Sequence, residues 1–196
     1  MWGFPKGKRF VSQTNEGKVL TITAATAIRN IFDTKRSAKR SIELYSIFDS
    51  PPRYGRGFNW VGYSGNDAAI LLLHYFVSLP EPIIPQDDHQ DFIRPLQDTK
   101  ASVSPNFNSA EAIVLYQRLV NKLPPLHRHL LLYILDLLAV IVRKSELNSI
   151  TAAKLAEIFV RCGFLSKGDT YLELDERVLT FLITNQDHFP KRLRGV

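Results

Sequence analysis

Between His127 and Lys144 apolar side chains recur on nearly every side of a helix: Leu130, Leu131, Ile134, Leu135, Leu137, Leu138, Val140 and Ile141. A helix that is apolar all round has to be surrounded by protein or by lipid. Its uninterrupted apolar stretches, such as Leu137 to Val142, fall far short of the roughly 20 residues that cross a bilayer. The run is therefore predicted to be the central, buried helix of a bundle. Asp136, the one charge between Leu130 and Ile141, is expected at an edge or against a partner. A chain of 196 residues and 22.3 kDa has length for one domain of generous size around such a helix. Its 45% hydrophobic and 22% charged residues exclude a disordered tail, a collagen-like repeat and a membrane bundle.

The remaining periodicity is helical as well. Up to about Gly17 the chain reads as a polar, irregular lead-in, followed by a helical piece over Val19 to Arg29 whose β-branched residues weaken it. Ser37 is placed to cap a helix with Ile42, Leu44, Tyr45, Ile47 and Phe48 on its apolar side, stopped by Pro51-Pro52. A loop rich in glycine and aromatics, Arg53 to Gly62, follows. Ser64 with Asp67 resembles a capping box opening a helix from Asp67 to Ser78. A long connection, Pro85 to Phe107, is predicted to hold only a short amphipathic turn at Asp91 to Leu96. Asn108 with Glu111 caps a helix to about Lys122, and further helices are read over Ala152 to Arg161 and Asp175 to Asn185. The reading is an all-α bundle of six or seven helices, with no strand pattern, repeat or low-complexity tract.

The formal charge of +6 is unevenly spread. Residues 1–56 hold eleven Lys/Arg against four Asp/Glu, and the rest of the chain fourteen against fifteen. A basic segment of this kind can meet nucleic acid, an anionic membrane surface or an acidic protein, or simply be solvated. The first ten residues have no apolar stretch of the secretory type, and the single cysteine, Cys162, cannot form an internal disulfide; both favour a reducing, cytoplasmic setting. Cys162 itself reads as a half-buried residue near a helix end.

No self-contained active site is visible. The chain lacks a phosphate-cradling glycine loop, G-x-S-x-G and H-E-x-x-H, and one cysteine cannot build a thiolate metal site. His127 and His129 are two apart and point to different helix faces. His74, His89 and His188 are expected in surface or packing roles, and Asp87-Asp88 and Asp175-Glu176 as solvated or capping carboxylates. Neither a metal nor a cofactor is expected.

Three segments carry a resemblance: Ser37-Ala38-Lys39-Arg40, then Ile47-Phe48-Asp49-Ser50-Pro51-Pro52-Arg53-Tyr54-Gly55, then Leu79-Pro80-Glu81-Pro82-Ile83-Ile84-Pro85. In this order and spacing they resemble a Rho-type GTPase-activating (RhoGAP) domain of the fungal branch, joined by Leu123-Pro124-Pro125 and by Asn185-Gln186-Asp187-His188-Phe189. The resemblance implies an all-helical RhoGAP-like domain over residues 25–190, shortened at its N-terminal side, with a basic lead-in (1–24) and a basic tail (191–196). Shortening implies exposed apolar surface that favours a partner or self-association.

Domains of this type act in trans, inserting an arginine that offsets charge developing on the phosphates of a bound GTPase, an effect of roughly 10³–10⁵ in rate. The family loop reads G-[IV]-F-R-x-x-G-S-A-K-R and matches Asn30 to Arg40, which puts Asp33 at the arginine position. The resemblance further implies a GTPase-binding surface at Asp33, Leu73, Val77, His127 and Lys154. The family carries a lysine at the position of Leu73, an arginine at that of Val77, and asparagines at those of Lys154 and His127; Arg161 stands where a proline is usual. Scaffold positions match and polar partner-facing ones do not. The leading expectation is a catalytically impaired domain that still holds a Rho-family small GTPase, more weakly, or another signalling partner. An alternative is a working activator with a displaced arginine, Arg36 or Arg29. A third reading, of a different class, is a basic module in which Lys35, Arg36, Lys39 and Arg40, with Lys6, Lys8 and Arg9, meets anionic lipid; without interleaved aromatics, nucleic acid is disfavoured.

Overall fold

The apolar run forms one helix, Pro125–Val142, in a computed structural model that describes residues 12–13, 19–20, 26–32, 38–97 and 109–190. Numbered in chain order, the described helices are α1 (Ala38–Asp49), α2 (Gly65–Ser78), α3 (Gln86–Gln97), α4 (Ser109–Lys122), α5 (Pro125–Val142), α6 (Ser145–Asn148), α7 (Ala152–Arg161) and α8 (Leu172–Thr184), with a 3-10 turn at Gln186–His188. The domain fold is all-helical apart from one two-residue strand pair, with eight α-helices among the described residues where six or seven were expected; the single-turn α6 is one addition. The chain divides into two compact units, Met1–His74 with Lys144–Ser149, and Tyr75–Arg143 with Ile150–Val196.

In the first unit the expected helix over Val19 to Arg29 does not form across the described residues. Val19–Leu20 instead pairs antiparallel with Ser12–Gln13, and residues 26–32 are turns. Val19 favours extended backbone, which the helical reading underweighted. The turn segment has no ladder of its own, so side chains satisfy its backbone. Asn66 Nδ2 donates to the carbonyls of Asn30 (3.1 Å) and Ile31 (3.0 Å), and Asn148 Nδ2 donates to that of Thr26 (2.9 Å). Both asparagines are buried.

Helix α1 buries Ser41 and Leu44 and stops before Pro51-Pro52 as predicted, but Ile42 is 68% exposed, not on the apolar side. Its predicted cap, Ser37, lies outside the described residues, as does Asn108 before α4. The capping box is present: the Ser64 N–H and hydroxyl donate to Asp67 Oδ2 at 2.7 and 2.8 Å, and the Asp67 N–H returns to Ser64 Oγ at 3.4 Å. Helix α2 starts at Gly65, two residues earlier than expected.

In the second unit α8 packs against α7, α3 and α5, and α3 against α4. The expected turn at Asp91 to Leu96 is a three-turn helix, α3. His89, Phe92, Ile93 and Leu96 form its buried stripe, and Pro95 falls in the last turn, where it does not stop the helix. Helix α5 is buried along one face only, through Leu131, Ile134, Leu135, Leu138, Ala139 and Ile141, while Leu126 and Tyr133 are exposed. By length and composition it could cross a bilayer, with a mean hydropathy of 1.6. Its buried face, however, is covered by α7, α8 and the 3-10 turn. Phe76, Phe159 and Phe164 fill the core with edge and tilted ring contacts at 5.0–5.8 Å.

Asp175 corrects another expectation. Helix α8 begins at Leu172, so Asp175 is neither solvated nor a cap; it is fully buried, accepting from His89 Nε2 at 2.7 Å and from the Ser166 hydroxyl. Asp136 is half-buried and accepts from Gln186 Nε2. Cys162 is half-buried at the C-terminal end of α7, and burial raises its thiol pKa.

Candidate functional site

The turn that ends at Phe32 combines a permissive residue, two buried apolar ones and the hydrogen bonds from Asn66. Asn30 has φ of 53°, a left-handed conformation that glycine and asparagine tolerate best. Ile31 and Phe32 are buried. Asp33, Lys35 and Arg36 lie outside the described residues, as does the side chain of Lys39. Arg29 is exposed on the turn and makes no ion pair with a described residue. Arg40 is largely exposed, with Nη1 3.7 Å from Asp67 Oδ2 and donating to the Gly62 carbonyl at 3.4 Å.

Leu73 and Val77 are four residues apart on α2 but differ in environment. Leu73 is 8% exposed and belongs to the core; Val77 is 59% exposed. Past the end of α2, Leu79 to Pro85 form a clamped turn. The Ile83 N–H donates to the Phe164 carbonyl at 2.9 Å, and His127 Nδ1 donates to the Ile83 carbonyl at 2.9 Å. His127 Nε2 lies 3.4 Å from Glu81 Oε1, and Lys167 Nζ donates to the Leu79 carbonyl. His127, predicted on a partner surface, is largely buried and occupied in holding this turn. Lys167 was not singled out from the sequence; its partner is a backbone carbonyl 88 positions away, which no local pattern reveals.

Lys154 sits in the first turn of α7, where its N–H donates to Thr151 Oγ1 at 3.2 Å, the helix N-cap. Its ammonium is 2.8 Å from Glu157 Oε2, and Arg161 Nε is 3.7 Å from Glu157 Oε1. The Lys154 ammonium, with Arg161 adding to it, holds the Glu157 carboxyl below its ordinary pKa. Glu157 was passed over, though its spacings of three from Lys154 and four to Arg161 were visible in the sequence. No group of three His, Cys, Asp or Glu among the described residues could hold a metal ion.

The sequence profile of the RhoGAP domain matches residues 19–166. Rho-GTPase-activating protein 5 of Schizosaccharomyces pombe is 36% identical over 174 residues, which cover 86% of this chain and 46% of that protein. Rho-GTPase-activating protein BAG7 of Saccharomyces cerevisiae is 34% identical over 131 residues, 65% of this chain and 31% of its own length. The chain thus spans less than half the length of these relatives. Among solved structures, human Rho GTPase activating protein 15 superposes with a TM-score of 0.65 at 16% identity, covering 83% of this chain and 75% of that one. The BH domain from GRAF, the GTPase regulator associated with focal adhesion kinase, gives the same TM-score at 19% identity, with 83% and 84% covered. With a profile match over residues 19–166 and a curated relative 36% identical over most of its length, the chain belongs to the RhoGAP domain family.

Proposed function

We propose that this domain binds a Rho-family small GTPase at a cytoplasmic site without accelerating GTP hydrolysis. The observation that carries the reading is the register of the finger loop. Asn30 in the left-handed region and the buried Ile31 and Phe32 match the glycine and the two apolar residues of the family motif, and the next residue is aspartate. A carboxylate offered to a triphosphate opposes the charge that builds up in the transition state, where the family's arginine would offset it. The exposed, apolar Val77 and the core position of Leu73 support the same reading, because neither supplies the cation the family has there.

The test is single-turnover phosphate release from a panel of GTP-loaded Rho-type GTPases, paired with a pull-down on a non-hydrolysable GTP analogue. Binding with no rate enhancement is expected; an enhancement above about tenfold overturns the reading, set against the 10³–10⁵ that a placed arginine supplies. The second reading, a displaced arginine, is favoured by one observation: Arg29 is exposed and unpaired among the described residues. Side-chain reach permits it, although positioning is most of this chemistry. If hydrolysis is accelerated and Arg29→Ala or Arg36→Ala abolishes that acceleration, the displaced arginine is the working one.

A further inference from the structure

The connection between α1 and α2 is left unused by the GTPase reading. Its fifteen residues, Ser50 to Ser64, include two arginines and no acidic residue. Arg53 and Arg56 are exposed, and neither makes an ion pair with a described residue, whereas Arg40 nearby in the sequence is held by Asp67.

The loop is tightly built. Tyr54 N–H donates to the Ser50 carbonyl at 3.0 Å, Arg56 N–H to Arg53 at 2.8 Å and Phe58 N–H to Gly55 at 3.0 Å. Tyr54 and Gly55 hold left-handed φ values of 44° and 71°. Phe48 packs against Phe58 and Trp60 with ring centroids 5.4 and 5.8 Å apart. Arginines on a preorganised loop lose less freedom on binding than arginines on a loose one. Beside them lies a recess of about 350 Å³ lined by Ile47, Pro51, Pro52 and Phe58 together with Arg53 and Arg56.

Charge and shape together select the occupant. A free anion would gain nothing from the apolar part of the lining, formed by Ile47, Pro51, Pro52 and Phe58. An extended peptide satisfies both features, with an apolar side chain seated in the recess and carboxylates on the guanidiniums, which bind carboxylate bidentately. We propose that this recess docks an acidic linear segment of a partner protein through one apolar anchor residue flanked by carboxylates. The inference is independent of the GTPase reading, since no family-matched partner position lies between residues 50 and 63.

The probe is a short fluorescent peptide with one leucine among glutamates, measured by fluorescence polarisation at low salt on the full chain. Saturable binding is expected, weakened about tenfold or more by R53Q/R56Q, as lost charge-assisted hydrogen bonds imply. Replacing the peptide's leucine by serine should weaken it as well. The charge-reversed R53E/R56E should reject the glutamate peptide and accept one with lysines in place of glutamates, and a circular dichroism melt on each variant shows that it is folded. Peptide binding indifferent to R53Q/R56Q overturns the proposal. So does the absence of peptide binding when phosphatidylserine vesicles co-sediment with the chain and R53Q/R56Q releases them, which makes the loop a lipid site.

Discussion

Asp175 is fully buried, with one oxygen on His89 Nε2 and the other on the Ser166 hydroxyl. Removing one partner of a buried carboxylate costs more than the pair contributes, because the remaining oxygen keeps its desolvation penalty without its donor. His89→Ala should therefore destabilise the domain by about 3 kcal/mol, read as a lowered urea midpoint with unchanged slope. Tyr116 has the opposite sensitivity. Its hydroxyl donates to the Phe92 carbonyl at 2.8 Å, and burial raises its pKa well above the ordinary tyrosine value. A group whose folded-state pKa is raised keeps its full contribution below the unfolded value of about 10 and loses it as pH rises beyond that. Tyr116→Phe should cost about 1 kcal/mol at neutral pH for the lost hydrogen bond, yet flatten the loss of stability above pH 10. Denaturant titrations across alkaline pH, on both proteins, would reveal the crossing trend. Neither site was legible in the sequence. His89 and Asp175 are 86 positions apart, and a carboxylate near a helix start has a cap as its usual role, so only the fold brings the pair together.

Elements were legible where their signals are local. Ser64 and Asp67 announce α2 from three residues apart, and Pro51-Pro52 ends α1; both readings held because a cap or a stop is decided within one turn. Helix α3 was underread for the converse reason. Its stripe of His89, Phe92, Ile93 and Leu96 has helical spacing, but Pro95 forfeits one i→i−4 hydrogen bond and masks that pattern, and only the burial of the stripe outweighs it. The α1–α2 loop depends on a close approach that no composition argument supplies. A Cβ on Gly55 would lie 2.3 Å from Phe48 Cε1, and φ there is 71°. Gly55→Ala must move the ring and adopt a disfavoured backbone, a cost of about 1–3 kcal/mol. A thermal melt lower by several degrees, with loss of the aromatic near-ultraviolet dichroism that Phe48, Phe58, Trp60 and Tyr63 contribute, is the expected signature. An unchanged melt would mean that Phe48 is not held against the loop.

At the scale of the whole molecule, the RhoGAP fold is present, and its scaffold positions and its proposed partner positions were not equally readable. Turn and core residues declare themselves through spacing. A matched partner position gives only an identity, and its environment can reverse its meaning. Leu73, matched to a lysine, is in the core, and His127, matched to an asparagine, clamps the Ile83 carbonyl. This decides which restoration is informative. Leu73→Lys would place an ammonium in a core position at a cost of about 1–3 kcal/mol, so a double variant that failed could fail by unfolding. Asp33→Arg alone changes the sign of the charge at the finger position, next to a turn that Asn66 already pins. If the docking face is intact, Asp33→Arg should stimulate single-turnover hydrolysis by about tenfold or more over the unmodified domain. It should stay below the 10³–10⁵ of a fully placed arginine, because Val77 still supplies no second cation. Retained GTPase binding with no gain in rate would show that the path of the loop does not deliver residue 33 to the phosphates.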